Sequence, residues 1–583
     1  MNKTIHLTFI GLLFCFSMAA QVKEVPPPNI VLILADDVAL MDFGAYGGEA
    51  STPNIDKLAT SGTMFTNYHA SPMCAPSRAM LMTGYDSHLT GVPNLPLFLP
   101  PEYAAKPGYK GILNDNVKTL ATHLKEVGYR TYMTGKWHLG HTEATLPSKR
   151  GFDRTFILNA SGADNYEHKA YLPIQSKPPW YQDGELIDLP EDFYSSRNLV
   201  DKLIEFMDEE KDKSKPFFSF LAFQAVHIPV QAPKEFIDKY IGVYDGGWHE
   251  MRQQRFENAK LLGLISADAK LGDMLPMLQK WEELTEETRK MASKSMAVNA
   301  AMLEAMDFHI GRYMAYLQKT GELENTVFIV TSDNGPEASD PTLVAGMGLW
   351  MKSVGYTRDY ETLGEKGSFG YIGPEFGSAA AGPSAMFKFY AGEGGLRVPL
   401  IISGKNMPEG QKEKAFSFIT DIVPTILGIV DNKGVEKDTA MTGRSLLGVL
   451  YNQDSVVYQM DENIGMEAAS QAALFRGNMK LVYNGKPYGD GIWRLYNLGI
   501  DPGETNDLAE TESELFADMM KSYEQYKEEY GVLEMPENYE AVQEITKKFI
   551  VKIKKAVLPW LIAFGIGLTG FIVWRRRRRR QKS

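Results

Sequence analysis

Short runs of continuous apolar residues recur along the chain, and most of them end in polar residues. Asn29-Ile-Val-Leu-Ile-Leu-Ala35, Pro216 to Phe223, Val327-Phe-Ile-Val330 and Leu400 to Ser403 have almost no polar side and read as strands buried on both faces. Tyr129 to Met133 and Met479 to Tyr483 read as further strands. Between the runs the apolar spacing changes to that of helices. Val117, Leu120, Ala121, Leu124 and Val127 form one stripe, ended by Gly128, and Leu303, Met306, Ile310, Tyr313 and Leu317 form another, ended by Gly321. Thr52-Pro53 followed by Ile55, Leu58 and Ala59 predicts a shorter helix stopped by Gly62, and residues 245–290 read as helical and charged. Prolines and glycines mark residues 92–111 as a long loop and 160–193 as irregular structure, both expected beside a site.

The polar residues at the strand ends carry the candidate chemistry, because ligands of open α/β sheets gather at the carboxyl ends of strands. Two apolar strands each deliver adjacent oxygen ligands, Asp36-Asp37 and Asp333-Asn334. That donor set suits a hard divalent cation, Ca²⁺ or Mg²⁺, rather than zinc. Lys136 and His138 follow the strand at Tyr129, two apart between glycines, so an extended segment would turn both to one side. His227 follows the strand at Pro216. In Ser71-Pro-Met-Cys74-Ala-Pro76-Ser-Arg78-Ala-Met-Leu-Met-Thr-Gly84, Pro76 suits a first helical turn and Gly84 the residue past a helix end. Cys74 is therefore expected at or beside a helix N-terminus, where unpaired N–H groups hold an anion, with Arg78 one turn on.

A chain of 583 residues exceeds one compact core and predicts a large domain with a smaller one. A net charge of -12 argues against nucleic acid as a partner, since phosphate binding needs a broad basic surface, so an anionic substrate must be met by a local basic site. Lys3, the apolar run Ile5 to Phe16 and small residues up to Ala20 read as a secretory signal over residues 1–20. Its removal takes Cys15 and leaves Cys74 as the sole cysteine, so no intramolecular disulfide can form. At the other end Ala556 to Trp574 is uncharged, has tryptophans near both ends, and precedes six arginines. It is long enough to cross about 30 Å of hydrocarbon at about 1.5 Å per residue. Residues 556–574 are expected as a transmembrane helix tethering an exported body to the lipid bilayer, after a 536–555 linker and before a basic cytoplasmic tail over 575–583. The rival reading is a sorting tag that is cut off.

Cys74-Ala-Pro76-Ser-Arg78 resembles the Cys-x-Pro-x-Arg signature of type I sulfatases. Lys388 shortly before Glu393-Gly394-Gly395-Leu-Arg397 resembles a second segment of that family, closest to bacterial arylsulfatases, and Trp493-Arg-Leu-Tyr496 with Asp501-Pro resembles its small C-terminal subdomain. The resemblance covers roughly residues 28–530. It implies an α/β fold of the alkaline phosphatase type, with a large mixed, mostly parallel sheet sandwiched by helices over 28–434 and a smaller α+β subdomain over 435–535. It implies that Cys74 is oxidised to formylglycine by a formylglycine-generating enzyme, and that Asp36, Asp37, Asp333 and Asn334 hold Ca²⁺ or Mg²⁺ with the modified Cys74 as a further ligand. The hydrated aldehyde would attack sulfur to give a covalent sulfate, and His138 would remove the proton that expels it. Arg78, Lys136 and Lys388 would neutralise the sulfuryl oxygens, and His227 with Lys388 would serve the departing oxygen. Ser161 is a further candidate for sulfate contact. The implied substrate is a sulfated small molecule or saccharide. Two alternatives stand beside it: a phosphodiesterase or phosphonate monoester hydrolase of the same superfamily, and a non-catalytic membrane-anchored binding protein.

Overall fold

In the computed structural model the first apolar run, β1 (Asn29–Ala35), lies at the centre of the fold and alternates its side chains between two cores. Ile30, Leu32 and Leu34 join one, Val31, Ile33 and Ala35 the other, and all six are fully buried. The structure describes residues 27–173, 177–430, 439–536 and, with short gaps, 539–562. In chain order the further strands are β2 (Gly62–Phe65), β3 (Tyr68–His69), β4 (Arg130–Lys136), β5 (Arg154–Leu158), β6 (Trp180–Gln182), β7 (Glu185–Ile187), β8 (Phe217–Ala222), β9 (Thr326–Ser332), β10 (Leu400–Gly404), β11 (Gln411–Glu413) and β12 (Ser417–Phe418). Nine of these join β1 in one ten-stranded sheet of order β11-β2-β10-β9-β1-β8-β4-β5-β6-β7, and β3 pairs with β12. The central five, β9-β1-β8-β4-β5, run parallel.

Helices cover both faces, as continuous apolar strands require. Ser195–Glu209 and Glu286–Thr320 pack on the Val31 side. Cys74–Thr83, Leu120–Glu126 and Ile422–Ile429 pack on the Leu32 side. The mixed, mostly parallel sheet between helices agrees with the fold expected from sequence. Beyond it, β13 (Ile464–Ala468), β14 (Gln471–Arg476), β15 (Met479–Asn484) and β16 (Arg494–Asn497) form an antiparallel sheet, on which the helix Ser513–Tyr530 packs Met519, Tyr523 and Tyr526.

Register creates the site. Ala35 of β1 stands opposite Ser332 of β9, and Leu34 opposite Ala222 of β8. The residues after these strands therefore emerge together at one edge. β4 joins the group through Gly135 opposite Ala222. Gly135 has φ 110°, and a Cβ there would lie 1.7 Å from the Ala222 carbonyl oxygen, so only glycine allows this approach.

Three expectations are corrected. The irregular stretch 160–193 contains the hairpin β6–β7, which extends the main sheet by antiparallel pairing. The helix expected over 245–290 ends at Leu261; no long helix resumes until Glu286, and the segment between is irregular apart from a short turn at Trp281–Glu283. The expected transmembrane helix and the anchoring it implied are also not supported: among the described residues no helix is long and apolar enough to cross a membrane. Of 556–574 only Leu558 and Ile562 lie within the described residues. The helical residues just before them carry five lysines, and Phe549 and Ile553 among them are buried in an apolar cluster of the protein, while Val551 is exposed. The expected signal (1–20) and basic tail (575–583) lie outside the described residues.

Candidate active site

Cys74 is the first residue of the helix Cys74–Thr83, whose end is closed by Gly84 at φ 75° with its N–H donating to Met80. The thiol is free and buried, and burial raises its pKa. His138 has φ 59°, so the chain leaves the extended course of β4 directly after Lys136. Lys136 and His138 therefore reach the site separately. His138 places Nδ1 3.4 Å from Cys74 Sγ, while Lys136 Nζ donates to both oxygens of Asp36 at 2.9 and 2.7 Å. Burial, then the charges of Lys136 and Arg78, hold the His138 pKa well below its usual value and keep the ring neutral.

Arg78 is fully buried and serves the carboxylates. Its Nε and Nη2 each lie 2.8 Å from Asp333 Oδ2, its Nη1 donates to the Lys136 carbonyl at 2.8 Å, and its Nη2 stands 3.4 Å from Asp36. Across the strands, Asn334 Nδ2 donates to Asp37 Oδ1 at 2.6 Å over 297 residues of chain. Lys388 Nζ bridges Asp37 Oδ1 at 2.7 Å and Glu337 at 2.9 Å. Burial opposes the lysine charge, but Asp37 and Glu337 outweigh it and lift its pKa well above the usual value. Glu337 in turn is held down at about 2: burial works against its charge, and Lys388 prevails. His227 pairs Nδ1 with the Ile228 carbonyl at 2.7 Å, which fixes that nitrogen as the donor and leaves Nε2 3.9 Å from Asp37 Oδ2. Burial, then Lys136 and Lys388, keeps this ring neutral as well.

The three carboxylates fit a hard cation. Asp36, Asp37 and Asp333 each offer an oxygen, all within 4.8 Å of one another and all buried. Asp37 Oδ2 and Asn334 Oδ1 are buried with no hydrogen-bond partner, an arrangement that costs stability unless something fills it. Burial, aided by repulsion from Asp36, Glu337 and Asp333, pushes the Asp37 pKa up to about 8 despite Lys388. A cation among these oxygens would remove both penalties. Its donors are all oxygen, as Ca²⁺ and Mg²⁺ require. The second acidic group, Asp37, His227 and Glu337, already has the Lys388 ammonium between its carboxylates.

Cys74, His138, His227 and Lys388 open onto one cavity of about 630 Å³. Ser161 also lines it, 2.8 Å from the Tyr171 hydroxyl. Glu337 was not among the residues expected from sequence. Its signal was available: it lies three residues past Asn334, beyond the same strand end.

The Sulfatase family matches residues 28–432, a span that contains every residue of this constellation. The chain belongs to the sulfatase family. It is a sulfuric ester hydrolase. An uncharacterized sulfatase of Schizosaccharomyces pombe is 35% identical over 547 residues, covering 90% of this chain and 97% of the relative. An arylsulfatase of Klebsiella aerogenes is 33% identical over 458 residues, covering 77% and 97%. Among solved structures, BT4656 in complex with its substrate D-glucosamine-2-N,6-O-disulfate has a TM-score of 0.58 at 22% identity, covering 87% of this chain and 98% of that one. The phosphonate monoester hydrolase of Agrobacterium radiobacter has a TM-score of 0.53 at 18% identity, covering 86% and 96%. At such identities the likeness is one of fold, so it does not separate the two chemistries.

Proposed function

We propose that this sulfatase cleaves its sulfate ester with a formylglycine made from Cys74 by a formylglycine-generating enzyme, assisted by Ca²⁺ or Mg²⁺ held by Asp36, Asp37, Asp333, Asn334 and the modified residue 74. The observation that carries the reading is Cys74 in its Cys-x-Pro-x-Arg setting, at a helix start and 3.4 Å from a neutral histidine. The hydrated aldehyde would supply two hydroxyls, one to attack sulfur and one whose deprotonation frees sulfate. The cation, when bound, would withdraw charge from the sulfuryl oxygens.

The chain's own residues account for the rest. Neutral His138 accepts a proton at Nδ1 from the group at position 74. Lys388, kept charged by Asp37 and Glu337, offers an ammonium to the sulfuryl group and the departing ester oxygen. His227, oriented by the Ile228 carbonyl, flanks that oxygen beside Lys388. Arg78 and Lys136 supply positive charge next to the sulfate position while fixing Asp333 and Asp36. Ser161, at the cavity wall, is a further contact for the sulfate. The deciding experiment is the mass of the tryptic peptide that contains residue 74. The formylglycine mass is expected, and an unmodified thiol in fully active protein would overturn the reading.

A further inference from the structure

The cavity that holds the catalytic residues at its floor has apolar walls. On one side Phe98 stacks on Phe389 with ring centroids 5.8 Å apart, and Phe389 stacks on Tyr488 at 5.3 Å, directly beside Lys388. A separate apolar patch of the lining is formed by Val344, Met347 and Phe549. Phe549 comes from the helical residues 546–555, far beyond the span matched by the family, and is buried with Met347 in one apolar cluster. The C-terminal segment thus supplies part of the wall.

The charge on these walls is as restricted as their polarity. Among the described residues lining the cavity, Lys388 is the only lysine or arginine, and Asp37 and Glu337 already engage it. The other charged lining residues, Glu337 and Asp340, are acidic. A second sulfate or carboxylate on the substrate would meet no further lysine or arginine among these residues, only the imidazole of His141 outside the catalytic group. Burying an unpaired anion there is costly, whereas an apolar body gains from every methylene it removes from water.

We propose that the substrate is a monosulfated ester with a bulky apolar aglycone, such as a substituted phenyl or polycyclic group, seated against the Phe98–Phe389–Tyr488 stack and the Val344–Met347–Phe549 patch, and that Phe549 is a specificity-determining residue. The proposal rests on the sulfate-cleaving site described above. It differs from the disulfated glucosamine bound by BT4656, which carries two anionic groups on a polar ring.

The test is the full-length enzyme on 4-alkylphenyl sulfates from methyl to pentyl, with D-glucosamine-2-N,6-O-disulfate as the polar competitor. The leaving group is nearly constant along the alkyl series, so only the apolar body changes. KM is expected to fall about threefold to fourfold per added methylene until the cavity is filled, with kcat little altered. Phe549→Ala is expected to flatten that slope at the longer chains, and Phe549→Leu to restore most of it. A KM that does not fall along the series, or a higher kcat/KM for the disulfated sugar, would overturn the aglycone assignment while leaving the sulfatase mechanism standing. An unchanged slope in Phe549→Ala would remove Phe549 from the wall. Absence of turnover with every ester in protein whose residue 74 carries the formylglycine mass would overturn the aglycone assignment alone, and the same absence with an unmodified thiol would overturn the mechanism only if that protein is active on another sulfate ester.

Discussion

His138 Nδ1 lies 3.4 Å from Cys74 Sγ across 64 residues of chain, and its ring is kept neutral by burial and by the cations Lys136 and Arg78. A neutral imidazole at that distance is a proton acceptor for whatever group residue 74 carries. His138→Ala is expected to lower kcat by about 10²- to 10⁴-fold with a much smaller change in KM, the range for loss of a positioned acid or base. Circular dichroism should match the parent. An unchanged kcat would exclude a proton-transfer role.

Cys74→Ala is expected to abolish turnover while leaving secondary structure intact. The side chain is small and buried at a helix start whose backbone bonds do not use the thiol. Retained activity in this variant would remove residue 74 from the chemistry.

Stripping divalent cations is expected to abolish activity and lower the melting temperature, with Ca²⁺ or Mg²⁺ restoring both. A cation held at about 100 times its Kd stabilises the folded state by about 2.7 kcal/mol. The effect should vanish in Asp37→Ala, whose carboxylate has an unpartnered buried oxygen in the acidic group. Full activity in metal-free protein would contradict the assignment.

Glu337 shares the Lys388 ammonium with Asp37. It is a positioning residue, and Glu337→Gln is expected to reduce kcat/KM by about 10- to 100-fold, the range for partners that orient site groups. Glu337→Ala would leave Lys388 with Asp37 as its remaining carboxylate and lower stability as well. If Glu337→Gln and Glu337→Ala both match the parent in kcat/KM against pH, Lys388 does not depend on Glu337.

His88 ties the C-terminal sheet and helix to the main body. Its ring contacts Asp86 at 2.9 Å and Glu467 of β13 at 3.0 Å, and Tyr526 of the helix Ser513–Tyr530 donates to Asp86. Burial opposes the charge, but the hydrogen bonds and charges of Asp86 and Glu467 raise its pKa to about 9. The folded pKa lies above the unfolded value of about 6.5, so the protonated ring's contribution is complete below about pH 6.5 and is lost as pH rises toward about 9. At about 1.4 kcal/mol per unit, the loss over that window is on the order of a few kcal/mol. Urea unfolding at pH 6 and pH 9.5 should show a fall that His88→Gln largely removes. An equal fall in both proteins would assign it to other groups.

Much of the architecture was legible because its signals are local. An apolar run with no polar face specifies a strand buried on both sides, and a stripe ended by glycine specifies a helix and its stop; β1, β8, β9, β10 and the helices at Leu120 and Glu286 follow such signals. The pairs of oxygen ligands after β1 and β9, and Cys74 at a helix start, were legible for the same reason. The hairpin β6–β7 was not, because its strands are three residues long and edge pairing shows no apolar periodicity. What only the tertiary structure decided is which side chains meet. The register of Ala35 against Ser332 joins Asp37 to Asn334, the left-handed backbone at His138 parts its path from that of Lys136, and the fold spends Lys136 on Asp36 and Lys388 on Asp37 and Glu337. The contact of Phe549 with the cavity belongs to the same class. Such pairings depend on sheet order and packing over hundreds of residues, and no local pattern of polar and apolar positions encodes them.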